Sequence, residues 1–173
     1  MEKYIPDVYQ KSIYTIDYSK LTDRGIKCLL FDLDNTLVPA SIKVSNKKIK
    51  SLFKELKEKG FDIYIFSNSP KSRVKVFADE LQVKYYASAT KPLKRKFVKL
   101  LYENDYNESE VAIIGDQILT DVLGGNLVGI TTILVNPISQ KDFFLTNFTR
   151  IIERKIIKKL RNYELFTLGK YYD

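Results

Sequence analysis

The chain has 173 residues, 29 Lys and Arg against 21 Asp and Glu, a single cysteine and no histidine, for a formal charge of +8. That length suits one domain around one core. The missing histidine removes Ser-His-Asp and Cys-His catalysis and the usual zinc sites, and a lone Cys28 excludes an internal disulfide and a thiolate metal site. Chemistry must therefore fall to Asp, Glu, Lys, Ser, Thr or Tyr. The positive balance implies attraction to polyanions, with nucleic acid, anionic lipid and phosphorylated metabolites all eligible. No run approaches the roughly 18 apolar residues of a spanning helix, and Met1-Glu2-Lys3-Tyr4 opens without the apolar stretch of a signal peptide. The expectation is a cytoplasmic protein.

Residues 1–25 carry Tyr4, Tyr9, Tyr14, Tyr18 and Pro6 with little periodicity and read as a lead-in over the core or over the mouth of a site. Cys28 to Phe31 is an apolar run with the character of a buried strand. A helix follows at about 46–59, with Ile49, Leu52, Phe53 and Leu56 on one stripe and Gly60 as its stop. Beyond it alternate a strand at 61–66, a helix at about 71–81, a strand at 83–87, a helix at about 92–103, a strand at 111–114, a helix at about 119–127 and a strand at 131–135. Strands alternating with amphipathic helices predict an α/β fold, a parallel sheet covered on both faces. The whole chain, 1–173, reads as one domain, with a core at about 26–136 and a basic amphipathic helical tail at about 141–173.

Two carboxylates, Asp32 and Asp34, end the first strand within one tight turn. Like charges that close repel unless a cation or a shared proton separates them, so the pair points to a divalent metal, an acid/base device, or both. In isolation Asp32 to Thr36 also reads as an ordinary polar turn. Three further segments stand at the ends of predicted strands: Phe66-Ser67-Asn68-Ser69, Lys91-Pro92, and Gly115-Asp116-Gln117 followed by Thr120-Asp121. Each alone has a plain reading as helix capping or a surface lysine. Pro92 suits a first helical position, which would leave Lys91 extended and aimed at the mouth.

Taken in order, the four segments resemble the motifs of the haloacid dehalogenase-like (HAD) phosphatases over about residues 26–136. Phe-Asp-Leu-Asp-Asn-Thr-Leu-Val-Pro, Phe-Ser-Asn-Ser and Gly-Asp-Gln-Ile-Leu-Thr-Asp, with Gly25-Ile26-Lys27 and Asn136-Pro137, are similar to the capless subfamily IIIA, and more narrowly to YqeG-type proteins and mitochondrial phosphatidylglycerophosphate phosphatases. The resemblance implies a HAD-like three-layer α/β/α Rossmannoid sheet and hydrolysis of a phosphate monoester through an aspartyl-phosphate. It makes Asp32 the nucleophile, Asp34 the acid and then base, and Lys91 the neutralising cation. Thr36, Ser67, Asn68 and Lys91 would bind the substrate phosphate. Asp32, the backbone carbonyl of Asp34 and Asp116 would hold Mg2+, with Asp121 acting behind them. The implied substrate is phosphatidylglycerophosphate, an anionic glycerophospholipid.

Only 30 residues separate Thr36 from Ser67 and 23 lie between Ser67 and Lys91, too few for a cap domain at either point. An open mouth is expected. In the tail, residues 143–163 mix Phe144, Phe148, Ile151, Ile152, Ile156, Ile157 and Leu160 with Arg150, Arg154, Lys155, Lys158, Lys159 and Arg161. That is the composition of an interfacial helix on anionic lipid, giving peripheral association at the inner face of the membrane, and equally that of a helix docked on the sheet. Phe166, Tyr171 and Tyr172 would pack on the body or insert at an interface. Two alternatives stay open: a soluble metabolite or nucleotide phosphatase of the same fold, and a basic RNA- or ribosome-binding module with a residual active site. Intact motifs argue against nucleic acid as partner.

Overall fold

The computed structural model describes residues 1–139 and 144–162, with side chains in the last stretch from 149 onward. The side chains of Phe144 and Phe148, and Phe166, Tyr171 and Tyr172 altogether, lie outside the described residues.

Six parallel strands, β1 (Val8–Gln10), β2 (Cys28–Phe31), β3 (Asp62–Phe66), β4 (Lys84–Tyr86), β5 (Val111–Gly115) and β6 (Thr131–Val135), line up in the order β1-β6-β5-β2-β3-β4. Because side chains alternate across a strand, Leu29, Phe31, Ile63, Ile65 and Ile114 face one way and Cys28, Leu30, Tyr64, Phe66 and Ile113 the other. The first set packs under Ile49, Phe53 and Leu56 of α2 (Lys47–Glu58) and Val74 and Phe77 of α3 (Lys71–Leu81); α1 (Tyr18–Asp23) adds Leu21. The second packs under Phe97 and Leu100 of α4 (Lys94–Glu103). Each such side chain removed from water stabilises the fold by roughly 1.5–3 kcal/mol. The sheet and its two helical layers are those of a HAD-like Rossmannoid fold, and the chain between Thr36 and Ser67, and between Ser67 and Lys91, holds no cap.

Three local features depart from the sequence expectations. The lead-in forms α1 and adds β1 beside β6, with Val8 opposite Ile133. Pro92 stands before α4 rather than in it: the Lys91-Pro92 peptide is cis and the helix starts at Lys94. The helix expected at 119–127 is a wide π turn, Ile118–Val122, leading into α5 (Leu123–Val128).

The last helix, α6 (Phe144–Arg161), lies on the body through Leu160 and the half-buried Ile156 and Ile157, which meet Ile118, Val122, Leu134 and Tyr9. Lys155, Lys158 and Lys159 are exposed. Among the described residues no helix is long and apolar enough to cross a membrane.

Candidate active site

From β2 the chain fills one side of the sheet with β3 and β4, then returns to fill the other with β5 and β6, so the carboxyl ends of β2 and β5 flank the topological switch point. Asp32 leaves β2 there, its N–H donating to the Ile114 carbonyl at 2.9 Å. The turn behind it folds onto the Leu33 carbonyl, which accepts from Leu37 N–H at 3.0 Å, and Asn35 takes the left-handed backbone (φ 61°) that Asn tolerates.

Lys91 reaches the cluster from the loop after β4. Its side chain is 2% exposed, and its ammonium donates to Asp32 Oδ1 at 2.9 Å, Asp121 Oδ1 at 2.6 Å and the Phe66 carbonyl at 3.0 Å. Three donors thus meet three acceptors. The Asn68 amide clamps the same loop, accepting from Lys91 N–H at 2.7 Å and donating to the Lys91 carbonyl at 3.1 Å. Its side chain is therefore engaged by the lysine loop. Ser67 is buried, and its Oγ accepts from Ser69 N–H at 3.1 Å.

Asp121 sits in the π turn, where Val122 N–H reaches back to the Gln117 carbonyl at 3.3 Å, and its Oδ2 accepts from Gln117 N–H at 3.1 Å. Such wide turns recur at functional sites because they re-aim one side chain. Gly115 makes the approach possible: a Cβ there would lie 2.1 Å from the Asp121 carboxyl carbon. Asp116 accepts from the Thr36 hydroxyl at 3.2 Å and from Arg150 Nη2 of α6 at 2.6 Å. Arg150 also lies 3.4 Å from Glu153, whose carboxylate accepts from Leu119 N–H at 2.9 Å and so ties α6 to the start of the π turn. On the open side, Asp34 is held by the Ser69 hydroxyl and by Arg73, whose Nε donates at 2.9 Å and whose Nη2 lies 2.7 Å from the same oxygen.

Burial dominates the electrostatics. It pushes Asp32 up to about 7 against the pull of Lys91, with Asp121 and Asp34 adding to the rise. Burial, then Asp32 and Asp121, push Asp116 up to about 8, while Arg150 opposes. Burial alone would lower Lys91, but Asp121 and Asp32 outweigh it and hold the ammonium above the ordinary lysine value. The arrangement is a set of buried carboxylates short of positive charge.

Asp32, Asp116 and Asp121 offer oxygens within 4.8 Å of one another, an all-oxygen set that fits a hard divalent cation. Both Asp121 oxygens are engaged, by Lys91 and by Gln117 N–H, and both Asp116 oxygens by Thr36 and Arg150, so a cation held by Asp32 and Asp116 would have to replace Arg150 at Asp116. All the residues singled out in the sequence gather at this one edge of the sheet. Arg73 and Glu153 were not among them, and Ser69, in the second motif, and Arg150, in the basic tail, were named without a role at the site. Arg73 stands in the first turn of α3 just after the second motif, a signal that could have been used; Arg150 stands 34 residues beyond Asp116, and nothing local announces it.

Residues 1–139 match the family of mitochondrial PGP phosphatases. The Bacillus subtilis (strain 168) protein named "Probable phosphatase YqeG" is 38% identical over 158 residues, covering 91% of this chain and 92% of that one. Phosphatidylglycerophosphate phosphatase 1, chloroplastic/mitochondrial, of Arabidopsis thaliana is 28% identical over 90% of this chain but only 47% of its own length. Among solved structures, the cobalt-bound deoxy-D-mannose-octulosonate 8-phosphate phosphatase of Haemophilus influenzae shares the fold with a TM-score of 0.53 at 15% identity, over 80% of this chain and 90% of that chain. A Legionella pneumophila protein assigned to HAD superfamily subfamily III A aligns with a TM-score of 0.54 at 21% identity, over 71% and 73%. With the four motifs assembled at one switch point and the family match spanning most of its length, this chain belongs to the mitochondrial PGP phosphatase family and is a HAD-type phosphatase.

Proposed function

We propose that the chain is a magnesium-dependent phosphomonoesterase that works through an aspartyl-phosphate on Asp32 and converts phosphatidylglycerophosphate to phosphatidylglycerol. One observation carries the chemistry: the Asp32 carboxylate at the mouth of β2 is bonded to a buried ammonium and faces Asp116 across the switch point. The substrate reading rests on the family match and on the named activity of the plant relative.

In the first step an Asp32 oxygen bonds to phosphorus and the bond to the glycerol oxygen breaks, that oxygen taking a proton from Asp34. An alkoxide is a poor leaving group, so the second carboxylate matters. In the second step Asp34 accepts a proton from water, the water oxygen bonds to phosphorus, and Asp32 departs as carboxylate with release of inorganic phosphate. Ser69 and Arg73 fix the Asp34 carboxylate at the open side, where leaving group and water enter. The Ser67 hydroxyl donates to the developing charge on the phosphoryl oxygens, and Lys91, whose three N–H groups are already engaged, neutralises it through its charge, a form of stabilisation strongest where water is excluded. Asp121 positions Lys91, Asn68 holds its loop and Thr36 orients Asp116, roles in which Thr36 and Asn68 act behind the phosphate contacts. Asp32, Asp116 and the Asp34 carbonyl would hold Mg2+, which would supply Lewis-acid charge neutralisation.

The protein would act in the cytoplasm, peripherally at the inner face of the membrane, with the exposed Lys155, Lys158 and Lys159 of α6 meeting anionic lipid. The test compares phosphate release from phosphatidylglycerophosphate vesicles with that from a panel of soluble esters, with Mg2+ and with chelator. Preference for the vesicles and dependence on Mg2+ are expected; a soluble ester turned over as well as the lipid would overturn the substrate.

A further inference from the structure

A cavity of about 440 Å³ opens off Asp116, between α6 and the end of β6, with Asn136 and Ser139 in its wall and the neighbouring Ile138 N–H bonded to the Asn35 carbonyl of the motif turn. Its wall carries three guanidinium-bearing residues, Arg150, Arg154 and Arg161, at positions i, i+4 and i+11 of α6, which share one helix face. Arg150 is engaged with Asp116 and Glu153. Arg154 and Arg161 have no carboxylate partner among the described residues, although Glu153 also lines the wall. Leu134, Ile118 and Tyr9 make the facing side apolar, and Ile157 stands among the arginines on α6.

Resting on the phosphatase reading above, we propose that this cavity is a subsite for a second phosphate of the substrate, with Arg154 as its main contact and Arg161 at its outer lip. Spacing carries the assignment. One turn of α6 separates Arg154 from Arg150 by about 6 Å along the axis. In a glycerol-bridged diphosphate the phosphorus atoms are six covalent bonds apart, a span of the same order. A phosphoryl group seated on Asp32 beside Asp116 therefore leaves its neighbour at the level of Arg154, against a planar donor group suited to phosphate oxygens. The apolar wall takes the carbon skeleton between and beyond the two groups. On this account α6 is a specificity element of the site as well as a docked helix.

The second phosphate could be the diester of a phospholipid or the terminal group of a soluble bisphosphate, and kcat/KM on three substrates separates these sources. They are dihexanoyl phosphatidylglycerophosphate below its micellar concentration, glycerol bisphosphate and glycerol monophosphate. The wild type should prefer one or both two-phosphate substrates to the monophosphate. Arg154→Gln should lower that ratio about tenfold, chiefly through KM, as expected for one lost charge-assisted phosphate contact. Arg161→Gln should lower it less, and Lys54→Gln, which alters an exposed lysine of α2 outside the cavity, should keep it. A wild type without preference, or a preference that survives Arg154→Gln, overturns the subsite. If glycerol bisphosphate is favoured over the short-chain lipid and Arg154→Gln erases that preference, the subsite stands and the lipid substrate falls.

Discussion

Two cations approach the same carboxylate cluster from opposite sides. Lys91 is 2% exposed, saturated by three acceptors and clamped at both its backbone N–H and carbonyl by Asn68. Arg150 is 17% exposed, arrives on a helix joined to the body through Leu160, Glu153 and a few isoleucines, and touches Asp116 alone among the four aspartates. The first is part of the framework that shapes the site. The second is a counter-charge on Asp116, and we expect an entering cation to take its place there. Buried carboxylates need such compensation, because an uncompensated charge in the interior costs several kcal/mol.

The comparison can be broken at the cluster itself. Asp32→Asn should abolish turnover of any phosphate ester, since the amide cannot form the phosphoenzyme; steady-state hydrolysis retaining substantial activity would remove Asp32 as nucleophile. Lys91→Ala should cost about 2–4 kcal/mol of transition-state stabilisation, or roughly 30- to 1000-fold in rate. Because it also orphans Asp121, its urea midpoint must be measured alongside; a normal rate in a normally folded protein would make Lys91 a bystander. The two cations should then part company in metal titrations followed by calorimetry. Arg150→Gln should tighten Mg2+ binding several-fold by freeing an Asp116 oxygen, whereas Asp116→Asn should weaken it. Shifts in the same direction would contradict the displaceable role of Arg150.

Acidity sharpens the same contrast. Asp32 at about 7 and Asp116 at about 8 lie above the ordinary carboxylate value of 3.8, so between these limits the folded chain holds protons that the unfolded chain has lost. Their contribution to stability is present in full below about pH 4 and is lost as pH rises through about 7 to 8. In chelator, urea midpoints should fall between pH 5.5 and 8.5, less steeply in Asp116→Asn, and Mg2+ should restore part of the loss at the upper pH. A midpoint that rises over this interval would refute the account. The narrowest effect, confined to vesicle substrates, is expected at the surface. Lys155, Lys158 and Lys159 changed together to Gln should lower activity on anionic vesicles, by about 1 kcal/mol per well-placed residue, and reduce its salt sensitivity. A soluble aryl phosphate serves as control, and a parallel fall on both substrates would make the face structural.

The sheet was legible in the sequence wherever a strand had enough residues to show an apolar run: β2, β3, β5 and β6 all lie at or within a residue of the expected bounds. β1, with three residues and a single fully buried aliphatic, Val8, carries too little pattern to separate from a loop. Asp32, Ser67 and Asp116 were legible because each follows such a run directly; Lys91, in the loop after β4, and Asp121, in the π turn, were legible only through the order of the four segments. Arg150 was legible only as charge: a basic helix reads the same whether it faces lipid, water or a carboxylate, and only the tertiary contact distinguishes them. Glu153, buried beside it, was missed because one acid among many bases looks like ordinary helix-surface chemistry. The same ambiguity explains why the tail could be read equally as interfacial or docked.

The N-terminal strand has a consequence for self-association. Both margins of the sheet, β1 and β4, are three residues long, and β4 begins with an exposed lysine. Short, charged margins give a neighbouring molecule little backbone to pair with. Just inside β1 lies Thr131-Thr132-Ile133-Leu134-Val135, a β-branched, uncharged run with the composition of an aggregation-prone segment. Val8, Tyr9 and Gln10 occupy its outer rim. The ten or so residues that look like a dispensable leader thus act as a gatekeeper, and trimming them through Gln10 would leave β6 as an adhesive border of the sheet.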